Sequence, residues 1–226
     1  MNINQYLDAA ILKPETSIKE AVAAIHECLT YKALTVCVRP CDIEMATLLC
    51  RGSGTLVGCV LNFPHGNDTS AAKHAEAELY VKRGVAEIDM VANFSLARSG
   101  EWKWYEKDIR AVSSVTRKSG VVLKVIFETC YLSLDEIRRC TKAARAAGAD
   151  FVKTSTGFGT GGATDEAVKA MLEAAEGKIK VKPSGGIRDF ARAKHLLDMG
   201  CHRLGVNFSS VAAICAGGKA AGTDSY

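Results

Sequence analysis

Three lysines at equal intervals are the residues of this sequence that most clearly suggest chemistry. Lys124, Lys153 and Lys182 follow one another at intervals of about 30 residues, and each lies within or at the end of an apolar run. Strand interiors seldom contain lysine, because the burial of an unpaired ammonium group is costly. If these runs are strands whose lysines point inward at corresponding heights, the lysines form one basic cluster. The alternative is that each lysine lies on an outward face or pairs with a carboxylate for structural reasons.

A basic cluster with an acid beside it has the components for imine chemistry. A free lysine has a pKa near ~10.4, so it is protonated and not nucleophilic at neutral pH. Desolvation and a neighbouring ammonium group lower the pKa of a buried lysine, and the neutral amine then attacks a carbonyl to form a Schiff base. Asp89, in a preceding apolar run, would transfer the protons. The pattern leaves open which lysine bonds the substrate, but Lys153 is favoured over Lys182 because it opens a polar loop.

Two glycine-rich loops follow the second and third lysines. Gly157, Gly159 and Gly162 have the spacing of a dinucleotide-binding loop. That motif requires a glycine directly after the strand and an acid about 20 residues on, so a nicotinamide cofactor is not favoured. A glycine loop before a helix N-terminus suits a phosphate equally well. The second loop, with Gly185 and Gly186, favours phosphate because barrel enzymes often hold phosphate after strands 7 and 8; the alternative is that its glycines serve only tight turns.

Histidine and cysteine spacing does not indicate a metal site. The sequence contains no His-x-x-x-His, His-Glu-x-x-His or Cys-x-x-Cys pattern, so we expect no metal and no cofactor. The nine cysteines are odd in number and irregular in spacing, which indicates reduced thiols in a cytoplasmic protein. His65 follows a predicted strand and could line the mouth of a barrel.

Composition excludes several classes of protein. The net charge is +4 without clustered basic runs, which argues against a nucleic-acid partner. With 48% hydrophobic and 24% charged residues, the chain is not intrinsically disordered. No stretch approaches the about 20 apolar residues of a membrane span, and the N-terminus lacks the features of a secretory signal. We therefore expect a cytoplasmic protein that acts without a membrane.

The segments that must position these residues alternate between short apolar runs and longer amphipathic, alanine-rich stretches. The predicted strands are 11–13, 34–38, 56–61, 87–91, 121–127, 150–153, 179–182 and 203–206. The predicted helices are 17–30, 42–50, 69–83, 102–118, 133–147, 164–176 and 189–199, with a short one at 209–215. Helix-capping signals and glycines at helix ends agree with these limits.

This alternation predicts right-handed β-α-β units in a parallel sheet. Eight such units in 226 residues predict a single-domain (β/α)8 TIM barrel, with an open doubly wound sheet as the alternative. We expect the barrel to occupy residues 1–215. Residues 216–226, rich in glycine and alanine, are expected to form a flexible tail.

Several segments of the chain resemble, in order, the signature segments of the deoxyribose-phosphate aldolase family. They are Val36-Cys37-Val38, Asn62-Phe63-Pro64-His65-Gly66, Glu87-Ile88-Asp89-Met90-Val91, Leu123-Lys124-Val125-Ile126-Phe127-Glu128-Thr129-Cys130, Ala147-Gly148-Ala149-Asp150-Phe151-Val152-Lys153-Thr154-Ser155-Thr156-Gly157 and Lys182-Pro183-Ser184-Gly185-Gly186-Ile187-Arg188. The likeness runs from about Asp8 to Val206. The resemblance implies a metal-free class I aldolase on a (β/α)8 barrel.

The resemblance also implies roles for individual residues. Lys153 matches the Schiff-base lysine of the family, Lys182 matches the second lysine that tunes the first, and Asp89 matches the acid–base aspartate. The family's phosphate contacts correspond to the two glycine loops, and Cys37 matches a cysteine near the substrate. The residues expected to contact substrate are Cys37, Lys124, Thr154, Gly157, Gly185, Gly186 and Gly205.

Two departures from the family pattern concern the substrate. The family commonly has a threonine two residues after the aspartate of its first strand, whereas this chain has Asp8-Ala9-Ala10, so a hydroxyl is missing at Ala10. After the last strand, Val206-Asn207-Phe208 contains what looks like one inserted residue before Ser209 and Ser210. Displacement of these serines would weaken phosphate binding.

The function implied is reversible cleavage of 2-deoxy-D-ribose 5-phosphate to D-glyceraldehyde 3-phosphate and acetaldehyde through a lysine Schiff base. Its partners are then a small-molecule sugar phosphate and acetaldehyde, and family members are often homodimers. One alternative is a class I aldolase of the same fold with an altered or non-phosphorylated aldehyde substrate. Another is a non-catalytic barrel that binds a sugar phosphate.

Overall fold

Eight parallel strands lie side by side in the computed structural model, which describes residues 2–218. The strands are β1 Leu7–Ile11, β2 Thr35–Val38, β3 Leu56–Leu61, β4 Glu87–Val91, β5 Val122–Ile126, β6 Phe151–Lys153, β7 Lys180–Lys182 and β8 Leu204–Asn207. Consecutive strands are neighbours from β1 to β7, and β8 pairs with β1. Most strand residues are buried on both faces of the sheet, which explains why the strands read as nearly continuous apolar runs.

The remaining gap between β7 and β8 is closed by backbone contacts. Ser184 forms a parallel bridge with Gly205. The amide of Gly205 donates to the carbonyl of Pro183 at 2.9 Å, and the amide of His202 donates to Val181 at 3.0 Å. The ring therefore closes, the predicted (β/α)8 barrel is confirmed, and the alternative of an open doubly wound sheet is wrong.

Helices connect the strands around the outside of the barrel. Within residues 2–218 they are α1 Ile18–Thr30, α2 Ile43–Cys50, α3 Ser70–Lys82, α4 Phe94–Arg98, α5 Trp102–Ser119, α6 Leu134–Ala146, α7 Asp165–Ala175, α8 Phe190–Asp198 and α9 Val211–Cys215. Local sequence sets their starts: Ser17 and Ser133 each form a capping box with the glutamate three residues later. No helix in the described part of the chain is long and apolar enough to cross a membrane.

The first strand differs from its prediction. It spans Leu7–Ile11 rather than 11–13. The error arose because Asp8 interrupts the apolar pattern, although Asp8 is itself buried in the barrel. A buried carboxylate is tolerated only where opposite charges face it, and the partners of Asp8 lie far along the chain. The short helix α4 was also not predicted.

Part of the expected C-terminal tail lies outside the described residues. These are residues 219–226 of the predicted segment 216–226. Within the described part, the carbonyl of Gly218 accepts a hydrogen bond from the amide of Phe190 at the start of α8, at 3.0 Å.

Candidate active site

The three predicted lysines all point into the barrel and meet at one carboxylate, that of Asp89. The Nζ atoms of Lys153 and Lys182 lie 2.9 Å and 2.7 Å from Oδ2 of Asp89. The Nζ atom of Lys124 lies 3.0 Å from Oδ1 of the same residue. All four side chains are buried, and Lys153 keeps 3% of its surface exposed. The sequence prediction that the lysines and Asp89 come together is therefore correct.

The sequence pattern predicted that the three lysines lie at corresponding heights in the barrel, and in the structure they do not. Lys153 and Lys182 are direct partners across β6 and β7. Lys124 is level with Asp89 on β4 and with Phe151 on β6, two residues below Lys153. The equal spacing along the chain did not give equal height, because each strand enters the barrel at its own register.

Lys124 consequently lies beneath the site rather than at its mouth. Its ammonium group contacts Asp8 at 2.9 Å, Asp89 at 3.0 Å and Glu87. An ammonium group has three N–H donors, so these carboxylates occupy all of them. These ion pairs hold Asp89 from below, and the expected contact of Lys124 with substrate stays a prediction.

Three charged residues of this cluster were not among the predicted site residues. Asp8 of β1 forms an ion pair with Lys182 at 2.5 Å. Arg203 contacts both Asp8 and Glu87, and its Nη2 lies 3.0 Å from Oε1 of Glu87. A signal for Glu87 was present, since it precedes Asp89 by two residues and alternate strand residues share a face. The two other residues lie at the two ends of the chain, and their pairing is visible only once the barrel closes.

The charges of the cluster almost balance. Among the described residues it contains four basic side chains, those of Lys124, Lys153, Lys182 and Arg203, and the carboxylates of Asp8, Glu87 and Asp89. With every group ionised, one positive charge is in excess. Release of one proton from a lysine therefore leaves a balanced cluster, and the arrangement favours one neutral amine.

The environment shifts the ionisation of individual groups. Burial raises the pKa of Asp89, but the ammonium groups of Lys124, Lys153 and Lys182 outweigh it and hold that pKa well below its usual range. Burial lowers the pKa of Lys182, and the neighbouring lysines lower it further while two aspartates oppose this. Asp89 is thus a carboxylate in the resting site, and Lys182 releases its proton more easily than an exposed lysine.

One side of the barrel mouth is apolar. Its wall consists of one cluster, Ala10, Leu12, Cys37 and Val60, with Phe63 packed against it. Burial raises the pKa of the Cys37 thiol to about 12, and the negative charge of Asp89 adds to this effect. Cys37 therefore stays protonated and acts as a small apolar surface. Ala10 belongs to the same wall, which accordingly lacks the hydroxyl that a threonine there would supply.

The opposite side of the mouth is a cavity of about 200 Å³ lined mainly by glycine. Its lining is Gly157, Gly159, Thr160, Gly161, Gly162, Gly185, Gly186, Ile187, Arg188, Gly205, Asn207 and Ser210. A Cβ atom on Gly162 would lie 2.4 Å from the carbonyl oxygen of Gly185, so only glycine lets the two loops pack this closely. The predicted residues Gly157, Gly185, Gly186 and Gly205 thus share one concave surface with the side chain of Arg188, an arrangement that suits phosphate.

Other sequence predictions have different outcomes. Thr154 is buried, and its hydroxyl exchanges hydrogen bonds with the backbone of Ser184, so it joins two loops instead of facing the cavity. Ser210 lines the cavity, whereas the hydroxyl of Ser209 turns to the side-chain oxygen of Asn207 at 3.0 Å. His65 lies at the rim, away from the charged cluster, and lines a neighbouring cavity. No group of potential metal ligands occurs within residues 2–218.

Comparisons with known proteins agree with this geometry. The family model of the DeoC/LacD family aldolases matches residues 4–202. A deoxyribose-phosphate aldolase of Exiguobacterium sibiricum is 42% identical over 219 residues, which are 96% of this chain and 97% of that protein. The solved structure of QR15, an aldolase, has a TM-score of 0.89 at 35% identity and covers 96% of this chain and 95% of its own. A tetrameric deoxyribose phosphate aldolase from Aeropyrum pernix has a TM-score of 0.87 at 25% identity, with 95% and 89% covered.

Proposed function

Because the chain belongs to the DeoC/LacD aldolase family, we propose that it cleaves 2-deoxy-D-ribose 5-phosphate reversibly to D-glyceraldehyde 3-phosphate and acetaldehyde. The observation that carries this proposal is the sharing of one Asp89 oxygen by the amines of Lys153 and Lys182. Imine chemistry needs three groups: a nucleophilic amine, a second amine that takes up or repels the proton of the first, and a carboxylate.

Lys153 is the proposed nucleophile. It is the lysine of the cluster with the most exposed surface, and it lies at the end of β6, at the barrel mouth. Its proton leaves towards the shared carboxylate, after which the neutral amine attacks C1 of the open-chain sugar. The proton then passes from Asp89 to the hydroxyl of the carbinolamine, which leaves as water, so the carboxylate of Asp89 is restored. The resulting iminium ion draws electrons from the C2–C3 bond. This chemistry requires no metal or cofactor.

Asp89 is the proposed base for the cleavage step. It removes the proton of the C3 hydroxyl as the C2–C3 bond breaks and glyceraldehyde 3-phosphate leaves. At that moment the iminium ion becomes a neutral enamine, so one of the three positive charges beside Asp89 disappears. The basicity of Asp89 therefore rises during the cleavage step, in which this carboxylate takes up the proton of the C3 hydroxyl. Asp89 then returns this proton to C2, and hydrolysis of the imine releases acetaldehyde.

The two sides of the mouth support the orientation of the substrate. The two-carbon fragment that becomes acetaldehyde fits the apolar wall around Cys37 and Val60. The phosphate fits the glycine-lined cavity, where Gly185, Gly186 and Arg188 lie together. The missing hydroxyl at Ala10 and the displaced Ser209 keep a second candidate open. It is a class I aldolase for a non-phosphorylated aldehyde, and it predicts equal kcat/KM for deoxyribose with and without the 5-phosphate.

Borohydride trapping tests the proposal. The protein is incubated with acetaldehyde, reduced and digested, and the added ethyl group is located by mass spectrometry. We expect one adduct, on Lys153, and no turnover in a folded Lys153→Ala variant. An adduct on Lys182 would reverse the two lysine roles. Absence of any site-specific adduct would refute the aldolase proposal and favour a non-catalytic sugar-phosphate-binding barrel, for which ligand would raise the Tm without turnover.

Further properties follow from the same proposal. We infer a cytoplasmic enzyme that works on small molecules, with residues 1–215 as its catalytic domain. We predict a homodimer, although the Aeropyrum pernix relative is tetrameric. Light scattering on the purified chain measures the mass and distinguishes the two assemblies.

A further inference from the structure

Glu128 is a buried carboxylate beside the site that the proposed reaction does not use. It lies two residues after the end of β5 and is 2% exposed. Its backbone has φ of +56°, the left-handed region that non-glycine residues rarely adopt. Burial of a carboxylate and an uncommon backbone conformation each cost free energy, and both persist only where surrounding contacts enforce them. The contacts of Glu128 therefore indicate the role of its side chain.

Apart from a weak contact with Sγ of Cys130, the side-chain hydrogen bonds of Glu128 go to the loop between β6 and α7, which follows Lys153. The amide of Thr156 donates to both oxygens of Glu128 at 3.3 Å, and the hydroxyl of Thr156 donates to Oε2. The same hydroxyl accepts from the amide of Phe158 at 3.0 Å. One carboxylate thus holds Thr156 directly and the amide of Phe158 through the hydroxyl of Thr156.

The loop also passes directly over Glu128. A Cβ atom on Gly159 would lie 3.0 Å from the carboxyl carbon of Glu128 and 2.9 Å from Sγ of Cys130. Between these two anchored points lie Gly157, which lines the glycine cavity, and Phe158, whose ring packs edge-on against Phe63 at 5.3 Å. The loop therefore reaches both sides of the mouth, and its position depends on Glu128.

We propose that Glu128 is a positioning residue: its carboxylate holds the β6–α7 loop so that Gly157 completes the phosphate cavity and Phe158 covers the mouth above Lys153. The inference rests on the proposed aldolase function and adds a residue that sets its preference for a phosphorylated substrate. Protonation of Glu128 leaves one oxygen carrying a proton, so the acceptors for Thr156 are partly lost and the loop is released.

The groups that face Glu128 come from four segments. Lys153 of β6 favours its ionised form, Thr156 and Cys130 donate to it, and His65 and Tyr131 line the adjoining cavity. Burial dominates and raises the pKa of Glu128 above its ordinary value. The carboxylate is therefore lost at a higher pH than an exposed glutamate would be, and activity on the phosphorylated substrate should fall on the acid side at that pH.

The test compares Glu128→Gln with Glu136→Gln. Both substitutions remove one negative charge from a carboxylate that accepts a backbone N–H, but Glu136 does so at the exposed start of α6. For Glu128→Gln we expect kcat/KM on deoxyribose 5-phosphate to fall by roughly 10- to 100-fold, the loss typical of a charge-assisted hydrogen bond. For deoxyribose, which lacks the phosphate, kcat/KM should change by less than this factor, and acetaldehyde should still be trapped at Lys153. Glu136→Gln should resemble the wild type.

The pH profile separates positioning from a general loss of stability. In the wild type, kcat/KM for the phosphorylated substrate should decline with a midpoint above about 4.3, the ordinary pKa of glutamate. This decline should be absent in Glu128→Gln and present in His65→Gln, which replaces the histidine of the adjoining cavity. A decline that disappears only in His65→Gln would overturn the proposal.

Two further experiments apply if Glu128→Gln does not fold or if the aldolase proposal fails. If Glu128→Gln does not fold, Thr156→Val removes the hydroxyl and should lower phosphate discrimination in the same way. Unchanged discrimination in a folded variant of either residue would overturn the proposal. If wild-type Lys153 gives no acetaldehyde adduct, the aldolase proposal fails instead. Hydrogen exchange at the amides of Thr156 and Phe158 then tests the positioning alone, because Glu128→Gln must accelerate it if the carboxylate holds the loop.

Discussion

Replacement of Lys182 by methionine tests how the site produces a neutral amine. The Nζ atoms of Lys153 and Lys182 both contact Oδ2 of Asp89, so they are at most about 6 Å apart. At an effective dielectric constant of about 20, two unit charges at this distance repel by about 3 kcal/mol. In Lys182→Met this repulsion is absent and the charges of the cluster balance with Lys153 protonated. Formation of the neutral amine should therefore cost about 3 kcal/mol more.

The expected result is a shift in the pH dependence of imine formation. An energy of about 3 kcal/mol corresponds to about two pH units. The rate of borohydride-trapped ethylation at Lys153 should reach its midpoint about two units higher in Lys182→Met, with a loss of roughly 100-fold at pH 7. Methionine is unbranched and only one atom shorter than lysine, so packing changes little.

Lys180→Met is the matched control for this variant. Lys180 lies on the same strand, two residues before Lys182, and its ammonium group lies over the ring of Phe151 instead of contacting Asp89. Its removal should leave the midpoint near the wild-type value. An unshifted midpoint in a folded Lys182→Met protein, or an equal shift in Lys180→Met, would refute the argument that the neighbouring ammonium group activates Lys153.

Three further predictions concern packing, loops and acid. Lys73→Met leaves its buried partner Asp108 unpaired, and urea denaturation should show a loss of about 3–5 kcal/mol in unfolding free energy, partly restored by adding Asp108→Leu. Gly162→Ala pushes its loop away from Gly185, so KM for the phosphorylated substrate should rise roughly 10- to 100-fold in steady-state assays while acetaldehyde trapping persists. Asp89 has a depressed pKa, so its contribution to stability is present above the unfolded value of about 3.9 and is lost only as pH falls towards the folded value. Circular dichroism during acid titration should accordingly show unfolding well below pH 4, and at higher pH in Asp89→Asn.

The strands, the helices and the residues that cap the helices could largely be predicted from the sequence. Seven of the predicted strands overlap β2 to β8, because these strands are buried on both faces and read as short apolar runs. Capping residues such as Ser17 and Ser133 act within one helical turn, so their effect needs no tertiary contact. β1 was displaced because Asp8 looks unfavourable in a strand until its distant partners are known.

The site was accessible only in part. Lys153, Lys182 and Asp89 were found because charged residues inside apolar runs are uncommon, and family resemblance assigned their roles. Glu128 lies in a segment that resembles the family, but the sequence predicted no role for it. Nothing local indicates that its carboxylate reaches Thr156, 28 positions further on. Lys124 and Thr154 were expected to contact substrate, but their side chains turn to neighbouring strands and loops.

Three features could be predicted from the sequence alone: the alternation of strands and helices, the barrel that follows from it, and the three lysines and one aspartate that the proposed imine chemistry uses. These properties depend on hydrophobic periodicity and residue type, which are local. Only the tertiary structure decided the depth of each lysine, the pairing of Lys182 and Arg203 with Asp8, and the anchoring of the β6–α7 loop by Glu128. The pair of Arg203 and Asp8 spans 195 positions of the chain, and such contacts form only when β8 meets β1. Burial and Coulomb interaction depend on distance in space, and closure of the barrel sets that distance.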